Sequence, residues 1–343
     1  MALTAAALKA HAASLGFDLC GITAAVNVPE LAFLDEWLAR GYAGNMAWIA
    51  RTAEQRKDLQ RVLPGAKSVI VLGTVYNTAR PYSTEVADRS AAVISRYAWG
   101  DDYHDVLMAR MEQLLAWMRE QAAEPFEARA FVDGGPVQER IFAQYAGLGW
   151  IGKHACVISE RLGSWLFLSE IVTTLELAAD VPAVDQCGTC TLCIEACPTQ
   201  AIVEPHVVDS RRCLSYLTIE ERGDIPEELR AGLGNRVYGC DVCQDVCPFN
   251  QAPAVSTDPV WQPRSGLDGA TSAALWRMPD ADLRGLTKGS AMTRAKLPML
   301  RRNLALALQA SGAEEDRAAL AEESPDRPSA ADALVQRHIR IKA

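Results

Sequence analysis

Apolar positions repeat with two periods over the first 180 residues, one typical of strands and one typical of helices. The runs KSVIVLGTVY (67–76) and SWLFLSEIVTT (164–174) are nearly continuous and rich in β-branched residues, which predicts buried strands. DLCGIT (18–23), FEARAFVD (126–133) and ACVIS (155–159) predict shorter strands. The pattern therefore predicts several strands that share one core.

Amphipathic helices separate these strands. Proline favours the first turn of a helix, so Pro29 and Pro136 predict the starts of two helices. Strands that alternate with helices predict an α+β fold, with an α/β-like body at residues 1–180. The longest predicted helix, residues 103–122, has five apolar side chains on one face: Val106, Leu107, Leu114, Leu115 and Met118.

After about residue 270 the pattern becomes helical. LPMLRRNLALALQASG (297–312) and ADALVQRHIR (331–340) predict two amphipathic helices, joined by an acidic linker at 316–329. A pair of this kind resembles one unit of a HEAT-type α-solenoid, which buries its apolar faces against neighbouring units. We therefore expect a short C-terminal HEAT-like helical region at 256–343 that packs on the rest of the chain, after a cysteine-rich, ferredoxin-like domain at 181–255.

Composition favours a soluble intracellular enzyme. The chain has 343 residues, of which 49% are hydrophobic and 22% charged, enough to bury a sizeable core. No apolar run approaches the ~20 residues that a membrane helix needs. The first residues lack the basic segment of a secretory signal. We expect a cytoplasmic monomer with reduced thiols and no membrane partner.

The net charge of −9 argues against a broad nucleic-acid surface, because phosphate binding needs clustered lysine and arginine. A local cluster exists nonetheless, and it could bind RNA even in an acidic protein. The alternative is an ordinary solvated helix face, and the sequence leaves both interpretations open. Five cations within fifteen residues form the cluster: Lys288, Arg294, Lys296, Arg301 and Arg302.

Eight of the ten cysteines lie between residues 187 and 247. CGTCTLCIEACP has the C-x2-C-x2-C-x3-C-P spacing of a loop that binds a cubane cluster, and CDVCQDVCP is a shortened copy. In two-cluster ferredoxins the last cysteine of such a run ligates the other cluster. Cys213 is included because it is the only further cysteine nearby. We therefore assign one [4Fe-4S] cluster to Cys187, Cys190, Cys193 and Cys247, and the second to Cys197, Cys213, Cys240 and Cys243.

Zinc and disulfides are the alternative uses of these thiols. Zinc prefers two cysteine pairs that close one tetrahedral site, which gives no role to a third evenly spaced cysteine or to the C-P ending. Disulfide frameworks are typical of short secreted chains. Cys20 and Cys156 stand apart, and we expect both to be small buried apolar residues. The spacing therefore predicts a protein that transfers electrons.

Asp133, in FVDGGPVQER, is the second candidate for chemistry. It follows a predicted strand and precedes two glycines that allow a sharp turn, so its carboxyl group is expected in a crevice at the strand's end. Partial burial there would raise its pKa, as a proton donor requires. The alternative is that Asp133 only caps the helix predicted to begin at Pro136. His154, in IGKHACVI, is expected to line the same crevice.

Several blocks together resemble the tRNA epoxyqueuosine reductases over about residues 10–310: RVLPGAKSVIVLG, ISRYAWGDDYH, FVDGGPVQER, GLGWIGKHACVIS, LGSWLFLSEIVTT, CGTCTLCIEACP, RRCLSYLTIE and YGCDVCQDVCPFN. The resemblance implies reduction of epoxyqueuosine to queuosine at the wobble position of the tRNAs for aspartate, asparagine, histidine and tyrosine. It implies a base-off cobalamin beside the two clusters, an external low-potential electron donor, and Asp133 as the proton donor.

The resemblance also implies a set of corrin contacts and a short RNA surface. Family members often extend further with helical repeats, so the basic cluster at 288–302 becomes the expected tRNA contact. A plain electron carrier, a reductive dehalogenase and a non-catalytic tRNA-binding protein remain as alternatives. The corrin contacts are expected at Arg56, Lys57, Tyr97, Asp133, His154, Val157, Ser164, Leu168, Val172, Ser215, Asp241 and Val242.

Overall fold

The computed structural model describes residues 3–339, so residues 1–2 and 340–343 of the predicted terminal domains lie outside it. The helices are α1 (Ala5–Ser14), α2 (Phe33–Ala39), α3 (Ala47–Arg51), α4 (Ala53–Lys57), α5 (Tyr103–Gln121), α6 (Glu139–Tyr145), α7 (Leu192–Glu195), α8 (Leu214–Ile219), α9 (Glu227–Leu233), α10 (Val242–Asp245), α11 (Ser272–Arg277), α12 (Asp280–Thr287), α13 (Leu297–Ser311), α14 (Glu314–Ala321) and α15 (Ala333–Ile339). The strands are β1 (Leu19–Ala24), β2 (Ser68–Val75), β3 (Val93–Ile94), β4 (Ala128–Phe131), β5 (Trp150–Ile151), β6 (Val157–Ile158), β7 (Leu166–Thr173), β8 (Ile202–Glu204), β9 (Val207–Val208) and β10 (Arg236–Tyr238).

A four-stranded sheet forms the centre of the body, in the order β1-β2-β7-β4. All of its neighbouring strands are antiparallel. The predicted strands are present, and the mixed content of helix and sheet confirms an α+β fold. Every residue of β2 is buried, as its run of β-branched residues predicts. Because the sheet is antiparallel, the rule that places ligands at the carboxyl ends of parallel strands does not apply here.

Helices cover both faces of this sheet. On one face, α5 packs the apolar side it was predicted to have, including Leu107 and Leu114. On the other face, α6 approaches so closely that a Cβ on Gly21 would lie 2.1 Å from the Ala146 carbonyl oxygen. The helix predicted from Pro136 is present as α6, but it begins three residues later, at Glu139.

The cysteine-rich segment is interlocked with the body. Strand β10 pairs in parallel with β3, and the short helices α7 and α10 of the two cysteine loops pack against each other. One hydrophobic core runs through all three predicted domains, from Leu8 through Leu107 and Tyr238 to Leu304. The site is therefore held between segments that share a core.

The C-terminal helices pack around α13, which is buried on almost every side. The predicted pair, α13 and α15, is present, and α13 also contacts α8, α9 and β10, so the expected packing on the rest of the chain is confirmed. A helix that was not predicted, α14, overlaps the acidic linker. Ala319 is buried in the core, and Asp316 is buried with a hydrogen bond from Ser90, while Glu314 and Glu315 face outward. None of the helices within residues 3–339 is long and apolar enough to cross a lipid bilayer.

Candidate active site and cluster-binding region

The first cysteine set gathers around one cavity. Its four thiols line a space of about 240 Å³ together with His154, Ile158 and Phe249. The indole Nε1 of Trp150 donates a hydrogen bond to Cys187 Sγ at 3.4 Å. Lys153 Nζ donates to the carbonyl oxygens of Gly188 and Cys190, at 2.6 and 2.9 Å, which fixes the loop.

The cysteines of the second set are partly buried. Burial raises the pKa of the Cys243 thiol well above its usual range, and the nearby thiols add to the increase. Those thiols include Cys156, which was expected to be an isolated apolar residue and instead adjoins the set. All ten cysteines are free thiols. The neighbours of Cys243 that act on its pKa are Cys156, Cys240, Cys213 and Cys197.

Asp133 lies in a tight turn after β4. Its φ of 52° is in the left-handed region, and a Cβ on Gly135 would lie 2.5 Å from the ring of Phe131, so glycine is needed there. Helix α6 has Gln138 as its N-cap residue, so the alternative that Asp133 caps this helix is wrong. The Asp133 side chain is 65% exposed, as a group at the mouth of a crevice would be.

Two aromatic side chains from the start of α5 face the Asp133 carboxylate. The Tyr103 hydroxyl donates a hydrogen bond to Asp133 Oδ2 at 2.8 Å. His104 Nε2 lies 3.6 Å from the same oxygen, and His104 Nδ1 lies 2.7 Å from Asp102 Oδ1. The imidazole therefore bridges two carboxylates.

The charged groups around Asp133 change the direction expected for its pKa. The neighbouring His104 lowers the pKa of Asp133, partial desolvation of the carboxylate beside these aromatic rings opposes the lowering, and the Tyr103 hydrogen bond adds to it, so the predicted rise is wrong. Burial acts to lower the pKa of His104, but Asp102 and Asp133 outweigh it and raise that pKa to about 9. At neutral pH the proton of the pair therefore resides on His104.

A buried pair of carboxyl groups lies behind Asp133. Glu170, on β7 opposite Phe131, is 0% exposed, and both of its carboxyl oxygens lack a donor within residues 3–339. Burial raises its pKa well above the usual range, and the adjacent Glu139 adds to this. Burial and the charge of Asp133 likewise raise the pKa of Glu139, to about 8. Since two buried carboxylates cannot both be ionised, the pair carries a proton at neutral pH.

Several residues expected to contact a corrin meet around Asp133 and the cysteine loops. Arg56 Nη1 donates to the Val137 carbonyl oxygen at 3.1 Å, which ties the Asp133 turn to α4. Tyr97 lies beside Tyr103, with 6.1 Å between the ring centroids. Asp241 accepts a hydrogen bond from the Arg96 amide at 2.7 Å, which joins the second cysteine loop to the body.

Other members of that set have different surroundings. Lys57 pairs with Asp35 and Glu54, and His154 lines the cavity of the first cysteine set. Val172 is completely buried between the sheet and α6, so its side chain is not available to a ligand. Val157 lies in the same core, and Ser164 Oγ accepts hydrogen bonds from Gln244 and Asn250. The remaining members have partly or fully buried positions on β7, α8 and α10: Leu168, Ser215 and Val242.

Two cations of the basic cluster are interior residues, which overturns their assignment to an RNA surface. Arg301 and Arg302 are both 0% exposed. Arg301 pairs with Asp280 at 2.9 Å and donates to the carbonyl oxygen of Leu275 at 3.1 Å. Arg302 donates to three backbone carbonyl oxygens and to Asn303 Oδ1. Their guanidinium groups link helices within the core, so neither binds phosphate nor forms a solvated face.

The other cations border a cleft next to the Asp133 site. Lys288 and Lys296, with Arg284, line a cleft of about 560 Å³. The Asp102 amide donates to the carbonyl oxygen of Gly289 at 2.9 Å, so this cleft adjoins the start of α5. Arg294 is exposed, pairs with Glu220 at 2.8 Å and lies 4.9 Å from the ring centre of Trp48.

The sequence analysis missed two groups. It did not consider that the start of the predicted helix at 103–122 could place Asp102 and His104 beside Asp133. It also passed over Glu170, although a single carboxyl group within the apolar run SWLFLSEIVTT signals a buried charge with a special role.

The gathered cysteines and the adjacent carboxylate define the class of protein, which is an iron–sulfur oxidoreductase. The family model described as "4Fe-4S double cluster binding domain" matches residues 186–250, and the model "Epoxyqueuosine reductase QueG, DUF1730" matches residues 56–134. An epoxyqueuosine reductase from Xanthomonas campestris pv. campestris is 42% identical over 340 residues, covering 98% of this chain and 94% of that protein. The chain belongs to the epoxyqueuosine reductase family.

Solved structures agree with this placement. A crystal structure of epoxyqueuosine reductase with a tRNA-Tyr epoxyqueuosine-modified tRNA stem loop aligns with a TM-score of 0.84 at 28% identity, covering 97% of this chain and 89% of that one. The Bacillus subtilis enzyme, with an aspartate-bearing catalytic loop swung out of its active site, aligns with a TM-score of 0.81 at 29% identity, covering 95% and 88%.

Proposed function

We propose that this protein reduces epoxyqueuosine to queuosine at the wobble position of the tRNAs for aspartate, asparagine, histidine and tyrosine. The reaction takes two electrons and two protons, removes the epoxide oxygen as water and leaves an alkene. The observation that carries the proposal is the arrangement of a carboxylate and a protonated imidazole beside two gathered cysteine sets, in a chain of this family. Electrons enter from an external low-potential donor.

The cysteine sets fit two [4Fe-4S] clusters. The first set encloses a cavity with a buried imidazole nitrogen, and the thiols of the second set are close enough to perturb one another. The residues that would hold a cobalamin are Arg56, Tyr97 and the segment around Asp241, which lie around Asp133 and the cysteine loops. When bound, the cobalamin supplies a reduced cobalt centre that delivers electrons to the substrate.

Asp133 and His104 act together as the source of the first proton, and the second proton needed to release water comes from the solvent. Because the proton resides on His104, the Asp133 carboxylate transfers it to the epoxide oxygen as negative charge develops on that oxygen. Tyr103 holds the carboxylate in place through its hydrogen bond. An alkoxide is a poor leaving group near neutral pH, so proton delivery at this step lowers the barrier.

The tRNA backbone is placed by the exposed cations of the adjoining cleft. The side chains of Arg284, Lys288 and Lys296 are exposed and have no hydrogen-bond or ion-pair partner in the described part of the chain, so their charges are free to meet phosphates. Lys288, which lines the cleft, directly precedes Gly289, whose carbonyl oxygen accepts a hydrogen bond from the Asp102 amide. RNA held there would present its anticodon nucleoside near Asp133.

The experiment is turnover by anaerobically prepared protein. Protein with its clusters restored is incubated with cobalamin, a strong chemical reductant and tRNA that carries epoxyqueuosine, and the digested nucleosides are separated. Conversion to queuosine is expected. Asp133→Asn should retain iron and corrin but lose turnover by ~10²- to 10⁴-fold, because it removes the group that transfers the proton.

The alternatives give different results. A plain electron carrier would bind no corrin, a dehalogenase would reduce a halogenated substrate and spare the tRNA, and a tRNA-binding protein would bind without converting the base. Wild-type protein that holds iron and cobalt and leaves epoxyqueuosine unchanged would refute the proposed reaction. Full turnover by Asp133→Asn would remove Asp133 from it.

A further inference from the structure

The cavity of the first cysteine set contains a buried polar atom that the proposed reaction does not use. His154 is 5% exposed, and its Nε2 has no hydrogen-bond partner within the described residues. His154 lines the cavity together with Cys187, Cys190, Cys193 and Cys247. A buried ring nitrogen without a partner is unfavourable unless a ligand in the cavity supplies one.

The backbone decides which nitrogen of His154 carries the hydrogen. The amide of Cys156 donates to His154 Nδ1 at 3.1 Å, so Nδ1 is an acceptor. In a neutral imidazole the other nitrogen then carries the hydrogen, which makes Nε2–H a donor directed at the cavity. A tight turn holds this geometry, since Ala155 has a φ of 65° and its amide donates to the Gly152 carbonyl oxygen at 2.8 Å.

A second donor reaches the same ligand set. Trp150 Nε1–H already points at Cys187 Sγ at 3.4 Å. The Trp150 ring is fixed by an edge-on contact with Phe249, with 4.7 Å between centroids. Two side-chain N–H groups from one β5–turn segment, residues 150–154, therefore face the first set.

We propose that Trp150 and His154 donate hydrogen bonds to the first [4Fe-4S] cluster and raise its reduction potential. The physical reason is that the reduced cluster carries one more negative charge than the oxidised cluster, so donors to its sulfurs stabilise the reduced form more. The inference rests on the proposed clusters. Gly188 and Thr189 of this loop are exposed, so an external donor reaches this cluster from the surface, and a raised potential favours entry of the electron there.

The test is a redox titration of the holo-protein followed by electron paramagnetic resonance, which gives a potential for each cluster. Trp150→Phe keeps the packing ring and removes the N–H, and His154→Leu removes the second donor. Each change should make one cluster harder to reduce, with a fall of up to about tenfold in the reduced-to-oxidised ratio at fixed potential, which is about 59 mV for one electron. The potential of the other cluster should stay unchanged.

A matched variant and the iron content separate the outcomes. His154→Gln restores an N–H donor and should return the potential toward that of the wild type. If both donor-removing variants hold their full iron and neither potential moves, or if both clusters shift equally, the inference is wrong. Wild-type protein without eight irons per chain would refute the clusters of the proposed function themselves, whereas clusters with shifted potentials but no epoxyqueuosine turnover would refute only the reaction.

Discussion

Arg301 and Lys296 lie close in sequence, yet the structure gives them opposite roles, and a pair of substitutions separates these roles. Arg301→Met removes the buried guanidinium and leaves Asp280, which is also buried, without its counter-charge. It also removes a donor from the backbone carbonyl oxygens of residues 275, 276 and 278, of which only that of Trp276 keeps a hydrogen bond within residues 3–339, from Arg327. Lys296→Met removes an exposed charge from the cleft wall and breaks no side-chain hydrogen bond or ion pair among the described residues.

The magnitude for Arg301→Met follows from burial. Removing one partner of a buried ion pair costs about 3–5 kcal/mol, because the remaining charge is uncompensated. With about 2.1 cal/mol/K of unfolding entropy per residue, this corresponds to a fall in Tm of about 4–7 °C for a chain of 343 residues. Lys296→Met should change the free energy of unfolding by no more than about 0.5 kcal/mol.

Binding of tRNA should show the reverse order. Lys296→Met is expected to weaken binding and to reduce the slope of log affinity against log salt by about 0.7–0.9, the contribution of one phosphate contact. Arg301→Met, measured below its Tm, should leave both affinity and slope unchanged. Calorimetry and a salt series of binding titrations give the two readings. Unchanged Tm together with weakened binding in Arg301→Met would refute the burial argument.

Two further changes test the ionisable groups near Asp133. His104→Gln removes the imidazolium, so turnover should fall by ~10²-fold. The pH–rate profile should also lose its alkaline limb, which is set by the raised pKa of His104, about 9. An unaltered profile would show that His104 takes no part in proton delivery. Glu170→Gln concerns stability. Folding raises the pKa of Glu139 from 4.5 to about 8, so the folded chain retains a proton that the unfolded chain loses, and wild-type stability falls as pH rises through this window. The variant should show a smaller difference between its unfolding free energies at pH 5 and pH 8, measured by denaturant titration, and an equal difference would argue against a shared proton.

Local patterns predicted much of the framework. The strands around β2 and β7 and the long helix α5 follow from runs whose apolar period matches their burial. The start of α6 was predicted less well, because Pro136 favours a helix start while Asp133 and Gly135 impose a turn that delays it to Glu139. The linker helix α14 was missed for a related reason, since its acidic composition hides the few residues that contact the core.

The candidate site was likewise predicted only in part from the sequence. The spacing of the cysteines assigned two sets, and the folded chain gathers Cys247 with the first loop and Cys213 with the second. For Asp133 the sequence located the residue but gave the wrong direction for its pKa, because it could not show that Tyr103 and His104 lie against the carboxylate. Charge along the sequence likewise could not show which arginines of 288–302 are interior.

The amino-acid sequence alone determined the elements and the ligand spacing, because helix and strand periods and cysteine loops depend on residues a few positions apart. Only the tertiary structure decided the electrostatics of the site. The pKa of a carboxyl group depends on burial and on charges within a few ångströms, and these come from residues far away in sequence: Asp133 meets His104, Glu139 meets Glu170, and Arg301 meets Asp280.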